Sequence, residues 1–294
     1  MSVGPEEERA RPGAVTDAVT FSFADPAAEL YGLARLGLSG AGDARRGSAL
    51  AVLFAGRAPV AAIAEGDVAV APEADWAALS LPGLAASVEA PLERWSVRMA
   101  GERHGFALTF EAVSPPAELG ADDPAARAGG MAGYEQLCRV RGEVALDGEL
   151  RAIEATGQRG HAWGAPDWRR LASAHTLSVW LEGERGVALT ALHGAGDKGH
   201  GEGEHWASLL DPDGVTPVAD PRLSTTYDGD GRQRRAGLEL WVGEDEDEYP
   251  RRAAGTVLCG STLELGQLRL DCAFMRWTME GRTGVGRYDV LRRA

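Results

Sequence analysis

Short apolar or alternating runs separated by Gly, Pro and Asp turns recur along most of the chain. They include VTFSF (19–23), ELYGLARLGL (29–38), ALAVLFAG (49–56), VAAIAEGDVAV (60–70), WSVRMAG (95–101) and FALTFEAV (106–113). Runs of this length and spacing predict successive antiparallel strands rather than helices. A second series follows: LCRVRGEVAL, LRAIEATGQ, HTLSVWLEG, GVALTALHG, HWASLLDP, AGLELWVG, GTVLCGSTLELG, QLRLDCAFMRWTM and GRYDVLRR. Only Asp75–Ala90 and Asp167–Ala174 offer short helical turns. Residues 49–64 are the most apolar stretch, but Gly56, Arg57 and Pro59 interrupt it, so it predicts two buried strands and a turn, not a membrane span.

Two units are expected. SPPAELGADDPAARAGGMAG (114–133) is rich in Pro, Gly, Ala and Asp and lacks strand periodicity, which predicts a linker. The expected division is a disordered acidic leader over 1–17, one β unit over 18–125 and a second over 133–294. An internal echo points the same way. Ser96-Val97 leads through Gly101-Glu102-Arg103 to Ala107-Leu108-Thr109, and Ser178-Val179 leads through Gly183-Glu184-Arg185 to Ala188-Leu189-Thr190. The fold class expected is mostly β, in two consecutive antiparallel units whose sheets curl into barrels. Such barrels hide their edges and can hold one small ligand.

Composition narrows the function. The formal charge of −14 opposes binding to nucleic acid or to an anionic membrane surface. Three cysteines, Cys138, Cys259 and Cys272, have neither disulfide-framework nor zinc-ribbon spacing, and predict buried small hydrophobes in a reducing compartment. The N-terminus MSVGPEEERARPG has no apolar segment of the signal-peptide kind, so a cytoplasmic location is expected. No GxxxxGK[ST] loop and no GxSxG elbow occurs. Gly281–Gly286 precedes a strand-like run and is expected to be a hairpin turn.

The chemistry concentrates in GQRGHAWGAPDW (157–168), which holds Arg159, His161, Trp163, Asp167 and Trp168 among glycines and a proline. Those glycines and the proline suggest a loop that presents side chains rather than a long strand. His161 and Asp167 suit acid/base exchange, and Trp163 and Trp168 supply apolar walls, a pattern that fits a small-molecule pocket. Glu135 and His193 are further acid/base candidates; Tyr134, Arg159 and Trp277 are further ligand-contact candidates. Asp197–His205 carries two histidines and two carboxylates without a defined ligand spacing. It is expected to be a hairpin tip or lid, with no metal. Glu244–Glu248 is expected to be a solvated turn.

Gly133-Tyr134-Glu135-Gln136, GQRGHAWG, PDW, Phe274-Met275-Arg276-Trp277 and Gly281–Gly286 together resemble the hydroxyneurosporene synthase (carotenoid 1,2-hydratase) type and its lipocalin-like bacterial relatives. The resemblance is good over the second half and general over the first. It implies two lipocalin-like units enclosing an apolar ligand. That type carries an Asp immediately before the His, where this chain has Gly160. The function expected is a cofactor-free hydratase, lyase or isomerase/cyclase acting on an isoprenoid-, polyketide- or steroid-like molecule. The alternative is a carrier of the same ligand class, with the oligomeric state open in either case.

Overall fold

The computed structural model describes residues 4, 8–11, 14–196, 203–243 and 249–294. It is built almost wholly of antiparallel strands in two curled sheets, as the alternating runs predict. In the first unit the strands are β1 (Thr16–Asp25), β2 (Leu30–Ser39), β3 (Arg46–Ala55), β4 (Ala58–Ala69), β5 (Leu79–Leu81) and β6 (Leu84–Ala90). They continue with β7 (Arg94–Met99), β8 (Gly105–Ala112), β9 (Ala117–Leu119), β10 (Met131–Leu146) and β11 (Glu149–Gly164). The second unit contains the helix α1 (Pro124–Gly129) and the strands β12 (Leu171–Leu181), β13 (Arg185–Gly194), β14 (Glu204–Asp211), β15 (Gly214–Pro217) and β16 (Asp220–Tyr227). It ends with β17 (Gln233–Trp241), β18 (Arg251–Leu265), β19 (Leu268–Met279) and β20 (Arg282–Arg293).

The 11-stranded first sheet runs β4-β3-β2-β1-β11-β10-β8-β7-β6-β5, with β9 pairing β10. The 9-stranded second sheet runs β15-β14-β13-β12-β20-β19-β18-β17-β16. These are one strand order used twice: four strands back from the first, joined to the last strand and its predecessors. The matched hairpins are therefore β1–β2 with β12–β13. The sequence echo instead sets β7–β8 beside β12–β13, which occupy different places in that order. It reflects shared turn chemistry, because any hairpin favours a polar Gly-bearing turn between apolar arms.

The division of the chain also differs from the expected one. The first unit takes residues 1–118 and 131–165; the second takes 119–130 and 166–294. β10 and β11, 16 residues each, complete the first sheet because β11 pairs with β1 on one side and β10 on the other. The 114–133 stretch is thus an excursion, not a boundary. Asp123 caps α1 by accepting from the Ala125 N–H, Pro124 opens the helix, and the helix packs on β13 and β14. Asp75–Ala90 and Asp167–Ala174 hold turns and strands rather than helix. Gly284 and Gly286 lie inside β20, not in a hairpin turn. β3 is buried as expected, whereas β4, at the sheet edge, is largely exposed.

Strand alternation sends one row of each strand inward. In the first unit Val19, Phe21 and Phe23 meet Trp95, Phe106 and Phe110 in the core, with Phe21 5.3 Å from Trp95 and 5.1 Å from Phe110 between ring centroids. Each such ring contributes about 1.5–3 kcal/mol through burial. The second core gathers Leu177, Val179, Leu189, Met275, Trp277 and Tyr288. All three cysteines are free and buried, and burial pushes each thiol up to about 12, so none offers a thiolate nucleophile.

Candidate functional site

The 157–164 segment is not a loop. It is the last half of β11, hydrogen-bonded on both edges. Its glycines serve close packing instead: a Cβ on Gly160 would lie 2.5 Å from the Glu135 carboxylate. Glu135 and Gly160 are cross-strand partners on the face opposite the inward row, and Gln158 Nε2 donates to Glu135 at 2.8 Å. A carboxylate therefore stands beside the position where the resembling family carries its Asp, supplied by the neighbouring strand. By the same alternation Glu135 lies across the sheet from His161, so the two do not act on one ligand atom.

The inward row of β11 carries Arg159, His161 and Trp163. Their neighbours on β10 and β1 are Gln136, Tyr134, Asp17 and Val19. His161 is fully buried, and its Nε2 lies 2.6 Å from Asp17 Oδ1. A carboxylate only accepts, so in the neutral form of the imidazole the proton lies on Nε2 and the lone pair on Nδ1. That Nδ1 is buried and has no hydrogen-bond partner. Around it stand Trp163, Tyr134 and Trp76, at centroid distances of 5.0, 5.8 and 5.9 Å, all edge-to-face. Asp17 is also fixed from the other side, accepting from the Arg11 backbone N–H at 2.6 Å, while the Arg11 guanidinium sits 3.6 Å over Trp163.

A second carboxylate enters the same interior. Glu8 accepts from Leu92 N–H at 2.9 Å, Trp95 Nε1 at 2.8 Å and Tyr134 OH at 2.5 Å, and it pairs with Arg159 NH1. Both Glu8 and Arg159 are all but inaccessible to solvent. Burial holds the Tyr134 phenol well above its usual range; the Arg159 charge opposes that shift and Glu8 adds to it. Glu8 and Ala10 are core residues and β1 begins at Thr16, so in its described residues the 1–17 segment is not the solvated leader expected. Four donors outweigh the solubility of an isolated Glu.

The other candidates fall elsewhere. Asp167 is a partly exposed turn residue that accepts from Arg169 N and Nε at 3.0 and 3.1 Å; its pairing with Arg169 holds it below the usual carboxylate range. It is not the carboxylate partner of His161. Trp168 is half-buried, and Trp277 is fully buried in the second core, where Gly255 packs on its ring. His193 belongs to a different cluster in the second unit, its ring 5.0 Å from His175 and 5.9 Å from His205. His175 Nδ1 lies 2.8 Å from Tyr288 OH and its Nε2 3.0 Å from Ser173 Oγ, and Thr225 Oγ1 lies 2.6 Å from the same Tyr288 OH. Burial, then the charges of His193, His205 and Arg292, push His175 down to about 3, so it is neutral at physiological pH. Its centre, His175 with Tyr288, sits on β12 and β20, the counterparts of β1 and β11. Each unit thus places a polar cluster at the junction of its first and last strands, with different chemistry. Residues 197–202 and 244–248, and the expectations attached to them, lie outside the described residues; His205 itself lies on β14. Among the described residues no helix is long and apolar enough to cross a membrane.

Asp17, Glu8, Trp76 and Trp95 were not among the sequence candidates. Asp17 had a usable signal, since it alternates with Val19, Phe21 and Phe23 and so falls on the inward row of β1. Glu8 had none, because its neighbours are the charged residues of a leader-like composition.

A family model described as "Domain of unknown function (DUF7064)" matches residues 5–294. No curated protein matches. Among solved structures, a protein given provisionally as AttH, from Nitrosomonas europaea, superposes with a TM-score of 0.74 at 13% identity, covering 100% of this chain and 98% of that one. Kievitone hydratase from Nectria haematococca gives 0.68 at 10% identity, covering 99% and 93%. CghA in complex with Sch210972 gives 0.63 at 14% identity, covering 97% and 94%. These likenesses establish a shared double-unit β fold.

Proposed function

We propose that this chain, which belongs to the DUF7064 family, is a cofactor-free acid/base enzyme acting on an apolar small molecule within its first unit. The reaction class is hydratase, lyase or isomerase/cyclase. The observation that carries the reading is the His161–Asp17 pair, completely buried, with Nδ1 unpartnered inside an aromatic box. A carboxylate that fixes the imidazole tautomer makes the free nitrogen a defined proton acceptor, and after accepting it a defined donor. Water addition to an alkene or proton-driven cyclisation needs such a group together with aromatic faces that stabilise cationic character. One structural neighbour, kievitone hydratase, is of this class by name, and another, CghA, was crystallised with Sch210972. The sequence resemblance to the carotenoid 1,2-hydratase type agrees with this class and favours an isoprenoid-, polyketide- or steroid-like substrate.

The roles divide accordingly. His161 moves the proton, Asp17 positions it, and Trp163, Trp76 and Tyr134 wall the substrate. The test incubates the purified protein with an apolar extract of its source cells and follows every mass. A compound consumed by wild type, with a product heavier or lighter by one water or of unchanged mass, supports the reading when His161→Gln leaves it untouched. A compound bound and returned unaltered by both proteins makes the chain a carrier.

A further inference from the structure

Glu8 stands in the first unit as a ligand would. Its carboxylate is held by donors from four places in the sheet and its turns, namely the Leu92 N–H, Trp95 on β7, Tyr134 on β10 and Arg159 on β11. Those four belong to the strand framework, whereas Glu8 comes from a short segment outside both sheets. That segment is held by side-chain acceptors, Ala10 N–H on Asp75 and Arg11 N–H on Asp17. We propose that the cage is the recognition site for an acidic oxygen on the small-molecule ligand, a carboxylate or an enolate, and that Glu8 fills it until the ligand arrives. The location rests on the acid/base reading above.

Arg159 shows unused capacity. Only its NH1 is engaged with Glu8 and Tyr134; Nε and NH2 are buried without a hydrogen-bond partner. A guanidinium offers a planar fork that suits two oxygens of one acid group. Glu8, whose two oxygens already serve four donors, meets that fork at one corner. A free acid not tethered to a neighbouring chain segment can approach in the plane of the fork and engage the orphaned nitrogens.

The exchange is electrostatically even. One anion leaves the cage as another enters, so the buried Arg159 charge is paired before and after. Position matters as much as charge. Arg159 and His161 are alternate residues on the same inward row, about 7 Å apart along the strand. An acid head on Arg159 therefore places the next few carbons of the ligand beside Nδ1 of His161, between Trp163 and Tyr134. In conjugate addition of water to an alkene joined to that acid group, the negative charge that builds up on its oxygens would lie beside Arg159.

The experiment measures binding in the full-length protein by calorimetry, using 2-naphthoate and its neutral analogue 2-naphthamide, with wild type, Glu8→Ala and Glu8→Gln. The intramolecular Glu8 competes at high effective concentration, so both variants should bind naphthoate at least about tenfold more tightly than wild type. Naphthamide affinity should be unchanged. At one concentration naphthoate should also raise the melting temperature of Glu8→Ala more than that of wild type, because it restores the partner of a buried Arg159. Equal naphthoate affinity in all three proteins would overturn the proposal. So would a gain shared equally by naphthamide, or a destabilised Glu8→Ala that naphthoate fails to restore. His161 and Asp17 are intact throughout, so a negative result here leaves the acid/base reading standing. Absence of turnover with the naphthoate gain present removes that reading alone.

Discussion

Replacing Asp17 by Asn and by Ala should separate the structural role of the buried pair from its chemical one. Asp17 accepts two hydrogen bonds, from His161 Nε2 at 2.6 Å and from the Arg11 N–H at 2.6 Å. Alanine removes both acceptors and leaves the imidazole with neither nitrogen partnered in a site closed to water. Each buried unsatisfied group costs about 1–3 kcal/mol, and losing one member of a buried pair costs about 3–5 kcal/mol, so Asp17→Ala should cost about 3 kcal/mol. Asparagine behaves differently. Its carbonyl oxygen can still accept from Arg11 and its amide can donate to His161 Nε2, provided the ring proton moves to Nδ1. Asp17→Asn should therefore cost no more than about 1 kcal/mol while abolishing turnover, because the lone pair now faces the wrong way. Urea titration gives the stabilities, and nitrogen-15 correlation spectra of the imidazoles report which ring nitrogen carries the proton. Asp17→Ala within about 0.5 kcal/mol of wild type would refute the buried pair. An Asp17→Asn protein with full turnover would refute the assigned role of Nδ1.

Three further outcomes follow from the same geometry. Gly160→Ala pushes a Cβ toward the Glu135 carboxylate, 2.5 Å away, and weakens its bond with Gln158; a double-mutant cycle with Glu135→Ala should show coupling of about 1 kcal/mol, and additive effects would contradict the packing. His175 is held down to about 3, against 6.5 when unfolded, so its contribution is complete above pH 6.5 and is lost as pH falls toward 3. Unfolding free energies from urea titration should fall more steeply between pH 7 and pH 4 in wild type than in His175→Gln, by up to about 1.4 kcal/mol per pH unit; parallel curves would contradict a buried neutral imidazole. Trp163→Ala should weaken ligand binding about tenfold or more by removing an aromatic wall, and calorimetric affinities equal to wild type would remove Trp163 from the site.

The strand pattern was legible because alternation and turn residues are local signals. VTFSF, WSVRMAG and FALTFEAV lie within β1, β7 and β8 and at their edges. Three features were not legible, each for a physical reason. The glycines of 157–164 suggested a loop, yet in a strand flanked on both sides they make room for neighbours such as Glu135, a pairing across 25 residues. The 114–133 composition suggested a boundary, but sheet completion by β10 and β11 is a non-local hydrogen-bonding demand that composition does not encode. His161 stood out in the sequence, and its buried partner did not. Asp167, six residues on, was the obvious carboxylate by sequence distance, whereas the register of β1 against β11 brings in Asp17 from 144 residues away.

The most direct test of an acid/base centre at His161 follows solvent protons into product. Wild type and His161→Gln are incubated with the apolar extract in deuterium oxide, and bound and free compounds are compared by mass spectrometry. Proton transfer through His161 to carbon should give a product carrying one non-exchangeable deuterium with wild type, and none with His161→Gln, although both proteins retain the same compound. A ligand released without deuterium by wild type, or labelled equally by the variant, would contradict catalysis at this site.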